Sequence, residues 1–269
     1  MPEGPEVKKT VDWLQNFKGK TLENVRIISG RYGKKKEIPG WDRFKFPVFL
    51  KDVNCKGKFI YFTFSDDSGE YYMFNTLGMS GMWSNVNGKH ARVAFFFKDA
   101  EPLYFIDIRN FGTLKIVNDL NDLNKKLKSL GYDVLKTNVA WQDFKEVFNR
   151  KPNKTITECL MNQSVISGVG NYLKAEILYC SKISPYRLIK NIKDPEWKNL
   201  HHNILTQSRR SYMLGGATIA TYRQPNGEEG LYNRRFAVYN QKTCPQGYNV
   251  IKEQTADKRT THWVPELQK

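Results

Sequence analysis

Apolar residues recur at helical spacing near the start of the chain, at Val7, Val11, Leu14 and Phe17, with Lys8, Lys9 and Asp12 between them. That period predicts an amphipathic helix whose N-terminus holds Pro5 and Glu6, residue types suited to a first turn. From about Leu22 to Val117 the pattern turns to short aromatic and β-branched runs separated by Gly, Asp, Asn or Ser. Runs 24–29, 59–64, 71–75, 92–97 and 103–108 read as strands, and such strands behind one helix predict a β-sandwich. Polar helix formers at 118–127 change the composition, and a domain boundary is placed just after them, giving 1–130 and 131–269. Helical patterns follow at 141–148, 156–162, 172–180 and 195–212. The chain then reverts to short strand-like runs at 236–240, 249–253 and 260–264, which suggest a small hairpin.

The composition fits this two-domain reading and adds a partner. The chain has 269 residues, 40% of them hydrophobic, enough for two modest cores. Lys and Arg total 43 against 27 Asp and Glu, a net charge of +16 that points to a polyanion. Nucleic acid fits better than a membrane, because no stretch approaches the ~20 apolar residues of a spanning helix. Cys55, Cys159, Cys180 and Cys244 lie far apart with no CxxC spacing, and His90, His201, His202 and His262 form no ligand spacing with them. Neither a disulfide framework nor a metal site is expected, and no cofactor. The acidic, proline-bearing start has no apolar run of the kind a secretory signal needs, so free cysteines in an intracellular protein are expected.

Two stretches carry candidate chemistry. In Met1-Pro2-Glu3-Gly4-Pro5-Glu6, removal of Met1 would leave Pro2 with a free secondary amine beside a carboxyl group, a candidate nucleophile. The alternative is a terminus in which proline merely opens the first helix. In Gly168-Val169-Gly170-Asn171-Tyr172, glycines that let a backbone approach a ligand precede a helix whose N-terminal N–H groups suit a phosphate. A plain glycine turn between packed helices would share that pattern.

These two stretches, with Leu77-Gly78-Met79-Ser80-Gly81, Arg109-Asn110-Phe111-Gly112 and the final hairpin, stand in the same order as in the formamidopyrimidine-DNA glycosylase / endonuclease VIII family. The chain resembles that family over essentially its whole length. The resemblance implies an α+β, two-domain fold. An N-terminal helix and two-layered β-sandwich would precede a helical domain with a helix-two-turn-helix motif and a C-terminal finger at about 234–269, with DNA in the cleft between the domains. It also implies a bifunctional DNA glycosylase and abasic-site lyase acting on damaged DNA, duplex or single-stranded, as a monomer.

Residue by residue, Pro2 matches the family nucleophile. An α-amine has a pKa of roughly 7.7–8.0 against about 10.4 for lysine, so its unprotonated fraction near neutrality is larger by a factor of a few hundred. Glu3 matches the acid that protonates the sugar ring oxygen, Glu6 a second glutamate near the site, and Lys58 a lysine gripping the phosphate beside the lesion. Met79, Arg109 and Phe111 match the residues that fill the gap left by an extruded nucleotide, and Asn171 and Arg259 match phosphate contacts. Gly215 through Asn233 matches the loop over the flipped base, where Tyr222 and Arg223 could meet the lesion. Asn110 departs from the arginine common at its position.

The finger departs most. Where the family carries two CxxC pairs, this chain keeps only Cys244, with Val264 and Leu267 where the second pair would stand. One thiolate cannot build a tetrahedral zinc site. The hairpin pattern and Arg259 persist, so the finger resembles the zincless finger of endonuclease VIII-like members, with Val250, Trp263, Val264 and Leu267 packing in place of the metal. That branch favours oxidised pyrimidines and hydantoins; the alternatives are an 8-oxoguanine or formamidopyrimidine-specific enzyme and a non-catalytic damaged-DNA binder.

Overall fold

The structure is a computed structural model that describes residues 1–35, 37–136, 138–219 and 222–269, the side chain of Lys35 excepted. The chain divides into two compact units: residues 1–2, 6–129 and 217–230 form one, and residues 3–5, 130–216 and 231–269 the other.

In the first unit, the helix α1 (Gly4–Leu14) runs into a 3₁₀ turn at Gln15–Phe17, and Val7, Val11, Leu14 and Phe17 are all buried, as their spacing predicts. Eight strands follow: β1 (Thr21–Ile27), β2 (Val48–Lys56), β3 (Phe59–Asp66), β4 (Gly69–Thr76), β5 (Gly81–Ser84), β6 (Ala91–Phe97), β7 (Leu103–Asp107) and β8 (Thr113–Val117). They form one antiparallel sheet in the order β5-β7-β6-β1-β2-β3-β4-β8. The β1–β2 junction has only two residue pairs, Thr21↔Phe49 and Leu22↔Val48, and there the sheet folds into two layers. Fully buried Trp83 on β5 shows the closure, because its ring meets Phe62 on β3, five places away in strand order, at 5.3 Å. Its indole N–H donates to Asn75 Oδ1 at 3.0 Å, satisfying a buried polar pair. Two short helices, α2 (Gly30–Lys35) and α3 (Leu120–Lys128), complete the unit, the second opened by the Asp119 side chain accepting the Asn121 N–H.

Strands β2, β5 and β8 are absent from the sequence-based expectation. In β2 the inward Val48, Leu50, Val53 and Cys55 alternate with Lys51, Asp52 and Asn54, so the run is diluted with polar residues that solvent accepts. The strand expected at 24–29 lies at Thr21–Ile27, with a register shift between Leu22 and Asn24 where it meets β6.

The second unit holds α4 (Trp141–Asn149), α5 (Ile156–Met161), α6 (Asn171–Ser181) and α7 (Asp194–Met213), close to the expected spans. A capping box between Thr155 and Glu158 starts α5, and Pro195 with Asp194 and Glu196 starts α7. Short strands β9 (Tyr132–Asp133) and β10 (Ile166–Ser167) pair in parallel, and β11 (Ile251–Gln254) and β12 (Thr260–Trp263) form the terminal hairpin. The run 236–240 is not a strand. The N–H groups of Ala237, Val238 and Tyr239 all donate to the Glu176 carboxylate at 2.8–3.0 Å, a convergence on one anion that no strand ladder permits.

Candidate functional site

Pro2 is buried and lines a small pocket with Met79, Ser80, Gly81, Met82 and Tyr222. Glu6, one helical turn on, is also buried; its carboxylate accepts the Ala217 N–H at 2.7 Å, and its carbonyl accepts the Tyr222 hydroxyl at 3.5 Å. Glu6 therefore anchors the 217–230 segment rather than merely decorating a helix start. Burial raises the Tyr222 hydroxyl above its ordinary pKa, with the nearby Glu6 charge acting in the same direction, so it stays a neutral donor. Arg223 is held within its own segment, 3.2 Å from Glu229. Ala220 and Thr221 lie outside the described residues.

Met79, Arg109 and Phe111 project from two loops locked together by a residue that the sequence did not single out. The buried Asp107 accepts the Ser80 hydroxyl at 2.6 Å, the Gly112 N–H at 2.7 Å and the Arg109 N–H at 3.2 Å. Ser80 in turn accepts the Arg109 N–H at 2.9 Å. Gly78, at φ +61°, lies so close to the other loop that a Cβ there would meet Phe111 C and Gly112 N at 2.7 Å. On this base the Arg109 guanidinium sits 4.9 Å from the centroid of the Phe111 ring, a cation–π pair, and both Met79 and Phe111 are exposed. Asn110 adopts φ +58°, a left-handed conformation that Asn tolerates better than most residues. Lys58 lies in the turn between β2 and β3, beside Gly57 at φ +58°, while Lys56 donates to the Leu127 carbonyl at 2.9 Å.

In the second unit, the glycine motif receives the chain's own start. The Glu3 carboxylate accepts N–H groups from Gly170 (2.7 Å), Tyr172 (2.9 Å) and Leu173 (3.3 Å), and the Gly4 N–H donates to the Gly168 carbonyl at 2.8 Å. A Cβ on Gly170 would lie 2.3 Å from Glu3 Cδ. The helix N-terminus expected to suit a phosphate is thus engaged by a carboxylate three residues from the start of the chain. Gln163 braces the loop, accepting from Gly168 N–H and donating to the Val169 carbonyl, each at 3.0 Å.

The same helix organises the finger through consecutive residues. Lys174, fully buried, pairs with Asp257 at 2.6 Å; Ala175 packs with Val238, Cys244 and Val264; and Glu176 holds the 237–239 amides. Tyr179, Tyr239, Val250 and Leu267 flank that apolar cluster. Asp257 also accepts the Thr255 hydroxyl at 2.5 Å within the turn that exposes Arg259, where Lys258 has φ +60°. Asn171 donates to the carbonyl of Thr260, the residue after Arg259, at 2.8 Å, so these two expected phosphate contacts are neighbours. Among the described residues no group of three or more His, Cys, Asp and Glu side chains could hold a metal. Among the described residues no helix is long and apolar enough to cross a membrane.

Comparison with known proteins bears on the family and the fold. The formamidopyrimidine-DNA glycosylase N-terminal domain matches residues 1–114, its H2TH domain residues 130–223 and its C-terminal domain residues 232–269. Formamidopyrimidine-DNA glycosylases of Prochlorococcus marinus (strain MIT 9215) and Halalkalibacterium halodurans are 31% and 30% identical, with the whole of each chain covered. The crystal structure of the MutM (Fpg) protein from Thermus thermophilus is 27% identical, covers 99% of this chain and 98% of its own, and has a TM-score of 0.87. A Lactococcus lactis Fpg mutant bound to Fapy-dG-containing DNA shares the fold at a TM-score of 0.87 and 24% identity. These names point to the formamidopyrimidine type and lend no support to the endonuclease VIII-like branch inferred from the finger. The chain belongs to the formamidopyrimidine-DNA glycosylase family, the DNA glycosylases of base excision repair.

Proposed function

We propose that the chain is a bifunctional DNA glycosylase and abasic-site lyase whose nucleophile is the Pro2 amine. The observation that carries this reading is the placement of Pro2 in a pocket walled by the Met79 loop and by Tyr222. Removal of Met1 is required, since an attached methionine would make the Pro2 nitrogen an amide without a nucleophilic lone pair. The free amine attacks C1′ as the glycosidic electron pair leaves with the base, and the proton the amine gives up passes to that base. Glu3 delivers a proton to the ring oxygen, the sugar opens, and nitrogen and C1′ are left joined as an iminium. Loss of a C2′ proton then expels the 3′ phosphate, and a second elimination expels the 5′ phosphate.

Three N–H donors around Glu3 suit it as an acceptor, so proton delivery requires one of those bonds to yield as the ring opens. Lys58, Asn171 and Arg259 hold phosphates, while Met79, Arg109 and Phe111 occupy the gap in the duplex. For the released base, the relatives' names favour imidazole-ring-opened purines. A second reading, oxidised pyrimidines, is favoured by the finger's missing cysteines, and excision from a panel of both lesion types separates the two. Borohydride should trap a covalent complex with abasic DNA, and Pro2→Gly should lose or strongly reduce lesion excision. A protein with a verified free Pro2 that neither traps nor cuts such DNA would refute the enzyme reading.

A further inference from the structure

Beside the lesion loops of the first unit lies a cavity of about 620 Å³ with four cations on its wall and, among the described residues, no acidic one in its lining. Arg31 and Lys34 come from α2, Lys115 from β8 and Lys126 from α3. Among the described residues none of the four forms an ion pair. Phe59 and Phe74 form its floor, packed edge to face at 5.1 Å, with the Lys126 ammonium 5.4 Å from the Phe59 centroid. Like charges from three elements repel one another unless an anion joins them, and a polyanion with flat bases matches both cations and rings.

We infer that this groove holds the single-stranded part of a DNA strand running on from the lesion. It is continuous with the loops that meet the lesion. The paired Thr76 and Thr113, whose hydroxyls lie 2.7 Å apart, line it. Thr76 leads directly into the Met79 loop and Thr113 follows directly from Phe111-Gly112. Arg31 is tied to that junction by donating to the Gly112 carbonyl at 3.2 Å. Phosphates reach the four cations, and half-buried Phe74 offers its exposed face to a base. An acidic protein segment would answer the charge but would gain nothing from the rings or from this continuity.

The inference rests on the lesion-loop reading and is tested apart from it. Lys34→Ala/Lys115→Ala alters two exposed side chains outside the catalytic pocket. Binding is measured on a short lesion duplex and on the same duplex carrying a single-stranded extension on either side. The wild type should bind the extended DNA more tightly. The variant should lose that increment, and its log–log salt slope on extended DNA should fall by about 1.4, the release expected for two single-strand phosphates. Single-turnover excision from the short duplex should be unchanged. An equal response of both proteins to the extension, or no advantage of the extension in the wild type, overturns the groove. Unchanged DNA binding with lost affinity for poly-glutamate would assign it to an acidic protein and overturns it too. Loss of short-duplex binding in Met79→Ala and Phe111→Ala tests the loop reading separately; if they bind normally, that reading fails whatever the groove does.

Discussion

The Lys174 ammonium lies 2.6 Å from the Asp257 carboxylate, and both side chains are sealed from water, at 0% and 2% exposure. Burial lowers the lysine's pKa while Asp257, as partner, raises it. The pair ties the Arg259 turn to α6.

Breaking the pair from one side should be worse than removing it. Lys174→Met strands a buried carboxylate and should cost about 3–5 kcal/mol, whereas Lys174→Met/Asp257→Leu should recover most of that loss. Denaturant melts of the two variants measure the difference. A double variant as unstable as the single would mean that the charges are not what couples the turn to the helix.

Gly170→Ala adds a Cβ 2.3 Å from Glu3 Cδ. The backbone at Gly170 is ordinary, φ −131°, so the penalty is steric and should be about 1–3 kcal/mol. Because the displaced group is Glu3, excision should fall much further than stability does, and single-turnover kinetics beside a thermal melt will show whether it does.

Asp107→Ala removes the acceptor shared by Ser80, Arg109 and Gly112. Each buried donor left unpaired costs about 1–3 kcal/mol. Faster hydrogen exchange at the Arg109 and Gly112 amides is expected, together with slower lesion excision. Unaltered exchange would show that the loops hold each other without Asp107.

His262 is buried against the Tyr239 ring at 4.9 Å, and burial pushes its pKa down to about 4, with the Lys252 and Lys174 charges in support. The unfolded chain, with an ordinary pKa near 6.5, therefore binds the proton more readily than the folded one. Stability should be fully present above pH 6.5 and decline as pH falls from 6.5 towards 4, by about 2–3 kcal/mol, with no further loss from this group below pH 4. Melts of wild type and His262→Phe at pH 7 and 4.5 should differ in their pH response by that amount.

Arg259→Ala should weaken DNA binding and reduce the log–log salt slope by about 0.9, one phosphate on duplex DNA. A titration across salt concentrations that returns the wild-type slope would remove Arg259 from the DNA contacts.

The helices were legible because their apolar positions repeat over two or more turns, as at Val7, Val11 and Leu14, or carry caps such as Thr155 with Glu158. Strand β5 has four residues and β8 five, too short for alternation to stand out. The motif Gly168-Val169-Gly170 was visible as a close approach, but the approaching group was invisible: Glu3 is 167 residues from Gly170 in the chain. Asp107 and Lys174 were missed for a related reason. Neither belongs to a motif, and what each holds, the Ser80 loop and the Asp257 turn, is 27 and 83 residues distant. Glu176 misled in a different way, since the apolar run it gathers at 237–239 has the composition of a strand.

The grip on Glu3 and Gly4 bears on how the protein must be made. Once those hydrogen bonds form, Pro2 is buried beside them, and an aminopeptidase should find no extended segment to draw out. On the proposed mechanism, Met1 should therefore be excised before this fold closes, while the chain is still emerging. Protein that folds with Met1 attached, or behind an N-terminal tag, should bind damaged DNA yet resist late trimming and stay catalytically silent.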